Sequence, residues 1–102
     1  MIFSISSPLL DALVLATVNK KDTYGYEITQ VIRQAIDISE STLYPVLRRL
    51  QKDMCLDVYD MEYQGRNRRY YKITQKGKKQ LELYFEEWKI YEKNVEKIFD
   101  MV

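Results

Sequence analysis

From Leu81 to Val102 the chain sets an apolar residue at alternating steps of three and four: Leu81, Tyr84, Trp88, Tyr91, Val95, Ile98 and Val102. That spacing holds one stripe on one side of an α-helix for three heptads. Thr74 stands where a cap is needed, so the pattern predicts one long helix over 75–102. An apolar stripe of this length has to be covered. It either folds back on its own domain or pairs with a partner helix.

What precedes it decides between the two. Ser7 reads as an N-cap with Pro8 at the first helical position, and Leu9, Leu10, Leu13, Val14 and Thr17 recur at helical spacing up to Lys20. Tyr24-Gly25-Tyr26 opens a second helix running to about Ala35, with Ile28, Val31 and Ile32 as its apolar face. Ile36-Asp37-Ile38 is a connector with room for a short strand. Ser39 or Ser41 caps a third helix to about Lys52, in which Leu43, Val46, Leu47 and Leu50 form a core stripe and Pro45 falls near the first turn. Asp57 to Tyr63 alternates as a strand does, Gln64-Gly65-Arg66-Asn67 supplies a turn, and Arg69 to Ile73 returns. Three helices and a hairpin make a complete core by Ile73, which favours a partner for the last helix.

The predicted fold is therefore mainly α with a small β-hairpin, an α+β winged helix-turn-helix over 1–74, followed by a C-terminal dimerisation helix over 75–102. Its expected dimer residues are Leu81, Tyr84, Trp88, Tyr91, Val95 and Ile98.

Composition excludes several classes of function. There is no histidine and a single cysteine, Cys55, so no cysteine–histidine metal cluster, cofactor or disulfide framework is expected. Cys55 beside Leu56 and near Met54 reads as a buried structural thiol, and its solitude fits a reducing, cytoplasmic setting. No glycine-rich phosphate loop or activated nucleophile occurs, and acids such as Asp57 and Asp60 fall on strand faces, so catalysis is not expected. No stretch reaches the roughly 18 to 20 apolar residues of a membrane helix.

The formal net charge is only +1, but it is unevenly spread. Between Gln64 and Lys79 stand Arg66, Arg68, Arg69, Lys72, Lys76, Lys78 and Lys79 with no acid; between Gln80 and Val102 six acids face three lysines. A local basic patch matters more to phosphate binding than the total. The exposed face of the third helix offers Ser39, Ser41, Thr42, Tyr44, Arg48 and Arg49. Short hydroxyls at a helix N-terminus can approach phosphates and base edges, and arginines reach phosphates or guanine edges. With Tyr26 from the second helix and Arg66, Arg68 and Arg69 from the hairpin tip, this predicts a surface for double-stranded DNA. Two such surfaces on a symmetric dimer would fit a pseudo-palindromic operator. The competing reading is a winged-helix protein-interaction module, which would not need the basic tip.

Three segments carry a family resemblance: Tyr24-Gly25-Tyr26-Glu27-Ile28, Thr42 to Leu50 (TLYPVLRRL), and Arg69-Tyr70-Tyr71-Lys72-Ile73-Thr74 with Gly77. Together they closely resemble the signature segments of PadR-like regulators, over about Leu9 to Phe99. The resemblance implies a homodimeric repressor relieved by a small molecule. The single C-terminal helix is similar to the compact, multidrug-sensing branch. There a tryptophan on the last helix faces its dimer mate across a pore and stacks flat aromatic compounds. By that resemblance Trp88 would be the stacking residue, Phe85 its neighbour, Glu92 an acid for cationic ligands, and Ile5 and Ala12 pore lining from the first helix. From spacing alone, Trp88 is equally a packing residue of the seam.

Overall fold

The computed structural model describes residues 1–102. They form α1 (Ser7–Lys20), β1 (Thr23–Tyr24), α2 (Gly25–Arg33), α3 (Glu40–Lys52), β2 (Leu56–Tyr63), β3 (Arg66–Ile73) and α4 (Gln75–Asp100). The expected winged helix-turn-helix and long last helix are both present.

The core is built around α1, which touches α2, α3, β3 and α4. It is therefore buried well beyond the one stripe its spacing suggests: Leu10, Asp11, Ala12, Val14, Leu15 and Val18 are all enclosed. Its cap is Ser6 rather than Ser7, the Ser6 hydroxyl accepting from the Leu9 N–H at 3.3 Å. Pro8 consequently takes the second helical position, where its missing N–H is an orphan in any case.

The second helix starts at Gly25, because Thr23 and Tyr24 are drawn into a strand that pairs antiparallel with Tyr71 and Tyr70 of β3. This fills the sheet edge that a strand at 36–38 would have needed, and Ile36–Ile38 remains irregular with Ile38 alone buried. The buried stripe of α2 is Gly25, Ile28, Thr29 and Ile32. Thr29 replaces the expected Val31 because its hydroxyl donates to the Gly25 carbonyl at 3.0 Å, leaving its methyl for the core.

Ser39 caps α3 by accepting from the Thr42 N–H at 3.3 Å, and Leu43, Val46, Leu47 and Leu50 are buried as expected. Pro45 lies deeper in the helix than the first turn. It deprives the Ser41 carbonyl of its helical donor, on an exposed stretch where water can replace it. The helix ends on Met54 at φ 65, and the Cys55 N–H closes back on the Leu50 carbonyl at 2.9 Å.

The sheet has the order β1-β3-β2, with β2 and β3 paired from Leu56↔Ile73 to Tyr63↔Arg66. Gln64 at φ 50 and Gly65 at φ 77 make a two-residue turn whose twist suits a hairpin, so the return strand begins at Arg66, three residues earlier than expected. Cys55, Leu56, Tyr71 and Ile73 seat the wing in the core. Burial pushes the Cys55 thiol above its ordinary value, as the expected structural role requires.

One junction fixes where α4 leaves. The Thr74 hydroxyl donates to the Met54 carbonyl at 2.7 Å and accepts from the Gly77 N–H at 3.0 Å. Gly77 then presses on the Cys55 carbonyl; a Cβ there would collide with that oxygen and stand 2.8 Å from Ile73 Cγ1. Leu81 and Tyr84, the first two rungs of the seam, are partly buried and pack against the chain's own core. From Phe85 onward every residue is exposed.

Gly77→Ala is expected to destabilise the fold by about 1–3 kcal/mol or more, because backbone blocks the new methyl. Urea unfolding measures it; a loss below about 0.5 kcal/mol, the range of an ordinary surface change, would mean that α4 can lift from the junction.

Candidate nucleic-acid interface

The wing and the helix-turn-helix meet along an open groove of about 870 Å³. It is lined by Tyr26 from α2, Tyr44 and Arg48 from α3, and Arg66, Arg68 and Arg69 from the wing. Six of the ten residues expected from sequence are thus brought together. Gly25 makes the closeness of the helices workable: a Cβ there would stand 3.1 Å from the Tyr44 ring.

The cations in this groove differ in their freedom. Arg48 and Arg66 carry no ion pair. Arg69 Nε lies 3.7 Å from Asp60 Oδ1 across the hairpin, an exposed pair of little energetic weight. Arg68 lies over two rings, 4.0 Å from the centre of Tyr24 and 3.7 Å from that of Tyr63.

Ser39, Ser41 and Thr42 stand outside the groove lining, exposed at the start of α3. Ser39 Oγ is 2.9 Å from Ser41 Oγ and 3.1 Å from Thr42 Oγ1, so the three hydroxyls form one linked cluster at the positive end of the helix. Sequence reasoning missed Glu40 beside them, which accepts from the Tyr44 hydroxyl at 3.4 Å. Burial first, and then the Glu40 charge, raise the Tyr44 phenol above its ordinary value. It also missed Tyr24, Tyr63 and Asn67 of the groove. The alternation of the strands held that signal, since Tyr63 and Arg68 fall on one face.

Arg49 is a correction. It is not part of the groove; it forms an ion pair with Asp11 of α1, whose side chain is only 10% exposed against 42% for Arg49. The helical step from Arg48 to Arg49 is about 100°, enough to turn one arginine to the groove and the next to α1. Desolvation raises the Asp11 carboxyl above its ordinary value; the Arg49 charge and hydrogen bond, with a smaller Tyr84 contribution, oppose this but do not cancel it. An acid set between Leu10 and Ala12 was the sequence signal for such a partner.

The residues expected to hold a small ligand are only partly together. Trp88, Phe85 and Glu92 lie on the uncovered stretch of α4, and the Trp88 ring stacks on Tyr91 with centroids 6.1 Å apart. Ala12 is buried within the chain at 8% exposure and has no surface to offer a pore, because α4 and the other elements enclose α1. Ile5 is partly buried and packs against the core.

The sequence over residues 14–83 matches the transcriptional regulator PadR-like family. The chain belongs to that family. Among solved structures it is similar to smu.1704 from Streptococcus mutans UA159, with a TM-score of 0.91 and 42% identity over 98% of this chain and 94% of that one. It is also similar to a PadR family transcription regulator from Clostridium difficile R20291, with a TM-score of 0.81 and 31% identity over 88% and 97% of the two chains. Bacillus subtilis PadR, solved in complex with operator DNA, shares the fold at a TM-score of 0.71 and 22% identity, over 76% of this chain and 46% of that one. The PadR-like assignment agrees with the resemblance carried by the Tyr24, Thr42–Leu50 and Arg69–Thr74 segments.

The raised Asp11 value has a signed consequence. The folded state binds the Asp11 proton more tightly than the unfolded chain, so this group's stabilising contribution is complete at low pH. It is lost as pH rises from about 3.9 through the raised value. Stability of the native chain relative to Asp11→Asn is therefore expected to fall across that window in urea titrations. A difference that grows with pH would show instead that Arg49 dominates.

Proposed function

We propose that this PadR-like chain is a sequence-specific double-stranded DNA-binding repressor. It acts as a homodimer joined along α4 and reads a pseudo-palindromic operator. The observation that carries the reading is the groove between α3 and the wing, where Arg48 and Arg66 stand without ion pairs. Cations left unpaired in a groove are available to phosphate, and phosphate contacts supply most of the affinity of a DNA-binding module. The linked hydroxyls of Ser39, Ser41 and Thr42 lie at the N-terminus of α3, where a recognition helix approaches base edges. Operator DNA bound by Bacillus subtilis PadR, a protein of the same fold, supports duplex DNA as the ligand.

The uncovered stretch of α4 supports the dimer. Trp88, Tyr91, Val95, Ile98 and Val102 continue the stripe beyond Tyr84 with nothing over them, while Met1, Ile2 and Phe3 are exposed as well. A second copy related by a two-fold axis would cover one stripe with the other and set two grooves on one side of the pair. Trp88 and Tyr91, stacked on each other near Phe85 and Glu92, would then offer a planar aromatic or cationic effector a stacking platform with an acid beside it. An effector that spreads the two grooves weakens operator binding only by preferring the spread form.

Selection of bound duplexes from a random pool is expected to return an inverted repeat, and sedimentation to give a dimer at micromolar concentration. A single chain with no duplex affinity at low salt would end the reading. Arg48→Ala with Arg66→Ala should reduce the slope of log affinity against log salt by about two, near 0.9 for each lost phosphate contact. An unchanged slope would remove the groove from the contact surface. Trp88→Ala should weaken binding of a planar cationic dye, followed by the dye's own fluorescence anisotropy, while the protein still sediments as a dimer; a monomer instead would make Trp88 a packing residue.

A further inference from the structure

The outer rungs of the wing lack a third strand. Pairing between β1 and β3 ends at Tyr24↔Tyr70, whereas β2 and β3 continue for four more rungs, from Asp60↔Arg69 to Tyr63↔Arg66. A bare two-stranded ribbon is marginal in water. Yet the tip carries Arg66, a cation without an ion pair that lines the same groove as Arg48.

One side chain spans the gap. The Arg68 guanidinium lies over the Tyr63 ring at the end of β2 and over the Tyr24 ring at the entry to α2, and its Nη1 donates to the Tyr70 hydroxyl at 3.5 Å. Tyr70 stacks on Tyr59 at 5.6 Å and meets Tyr24 edge-on at 5.7 Å. The Tyr59 hydroxyl donates to Asp22 Oδ2 at 2.7 Å, just before β1. The outer face of the wing is thus tied to the helix-turn-helix by a continuous run of rings with Arg68 at its far end. A planar guanidinium suits that place because both of its faces can stack, which a lysine ammonium cannot do.

We propose that Arg68 is a positioning residue: stacked between Tyr24 and Tyr63, it clamps the wing to the start of α2 and so holds Arg66 in place at the groove that Arg48 also lines. Its contribution to DNA binding runs through the two rings and not through a phosphate of its own. This deepens the DNA-binding reading above, but the clamp itself is a property of the free protein and is tested there first.

In the protein without DNA, Arg68→Leu and the double variant Tyr24→Leu/Tyr63→Leu are each expected to speed amide exchange at Gln64–Arg66 by about 5- to 30-fold, with exchange in α1 unchanged. Tip exchange that stays at the wild-type rate in both variants overturns the clamp, whatever DNA does. Affinity for a mixed-sequence duplex in low salt is then measured for Arg68→Leu, for the tyrosine pair, and for all three changes together. A clamp makes the losses non-additive: once the rings are gone, removing Arg68 costs nothing further. An undiminished loss from Arg68→Leu in the ring-less background overturns the proposal, because Arg68 is then a phosphate contact in its own right. Faster tip exchange in a protein that binds no duplex keeps the clamp and rejects the DNA-binding reading instead.

Discussion

The contact of Gly77 with the Cys55 carbonyl is the constraint on which the arrangement depends. Three elements converge there. The α3 helix has just ended on Met54, the wing leaves through Leu56 and returns through Ile73, and α4 begins under the Thr74 cap. Only a residue without a side chain lets the first turn of α4 approach the start of the wing so closely. The Lys76 ammonium adds a donor to the carbonyl of Asp53, the residue just past the end of α3, at 2.7 Å. Because α3, the wing and the departing helix share this point, their relative directions are set together.

A near-neutral chain can still build a strongly one-sided surface. Acids neutralise two of the arginines near the groove, Arg49 through Asp11 and Arg69 loosely through Asp60, and aromatic rings occupy Arg68. Those that remain, Arg48 of α3 and Arg66 of the wing, both line the groove. The half-buried Arg49–Asp11 pair is the most consequential of these contacts. It ties α3 to α1. Removing one member of such a pair strands the other, which makes Asp11 a structural residue despite its charge.

Much of this was legible in the sequence, for identifiable reasons. The α3 stripe, the Ser39 cap, the hairpin and the long last helix rest on local periodicity and turn chemistry, and each is present. The failures occurred where tertiary partners override local pattern. Thr29 took the place of Val31 because a hydroxyl can satisfy itself on its own helix. Thr23 and Tyr24 became a strand only because β3 lay beside them. Leu81 and Tyr84 belonged to the heptad by spacing but to the core by position. In the site, residue type picked out Arg48 and Arg66, which do line the groove, yet it could not distinguish Arg48 from Arg49, one helical step apart. Nor could it foresee that tyrosines would take up Arg68, since that depends on strand register.

The bare stretch of α4 carries a last consequence. Beyond Tyr84 this helix has no tertiary cover, and its local support consists of contacts such as the Lys89–Glu86 pair at 3.2 Å. Helices get most of their stability from packing an apolar face, and a free end of this length frays. Whatever molecule lies along residues 85–100 therefore supplies the coil-to-helix free energy of that stretch as well as its contact energy. With a second copy in that place, association and local ordering would become a single equilibrium, and the melting behaviour of the tail would change with dilution although that of the winged core need not.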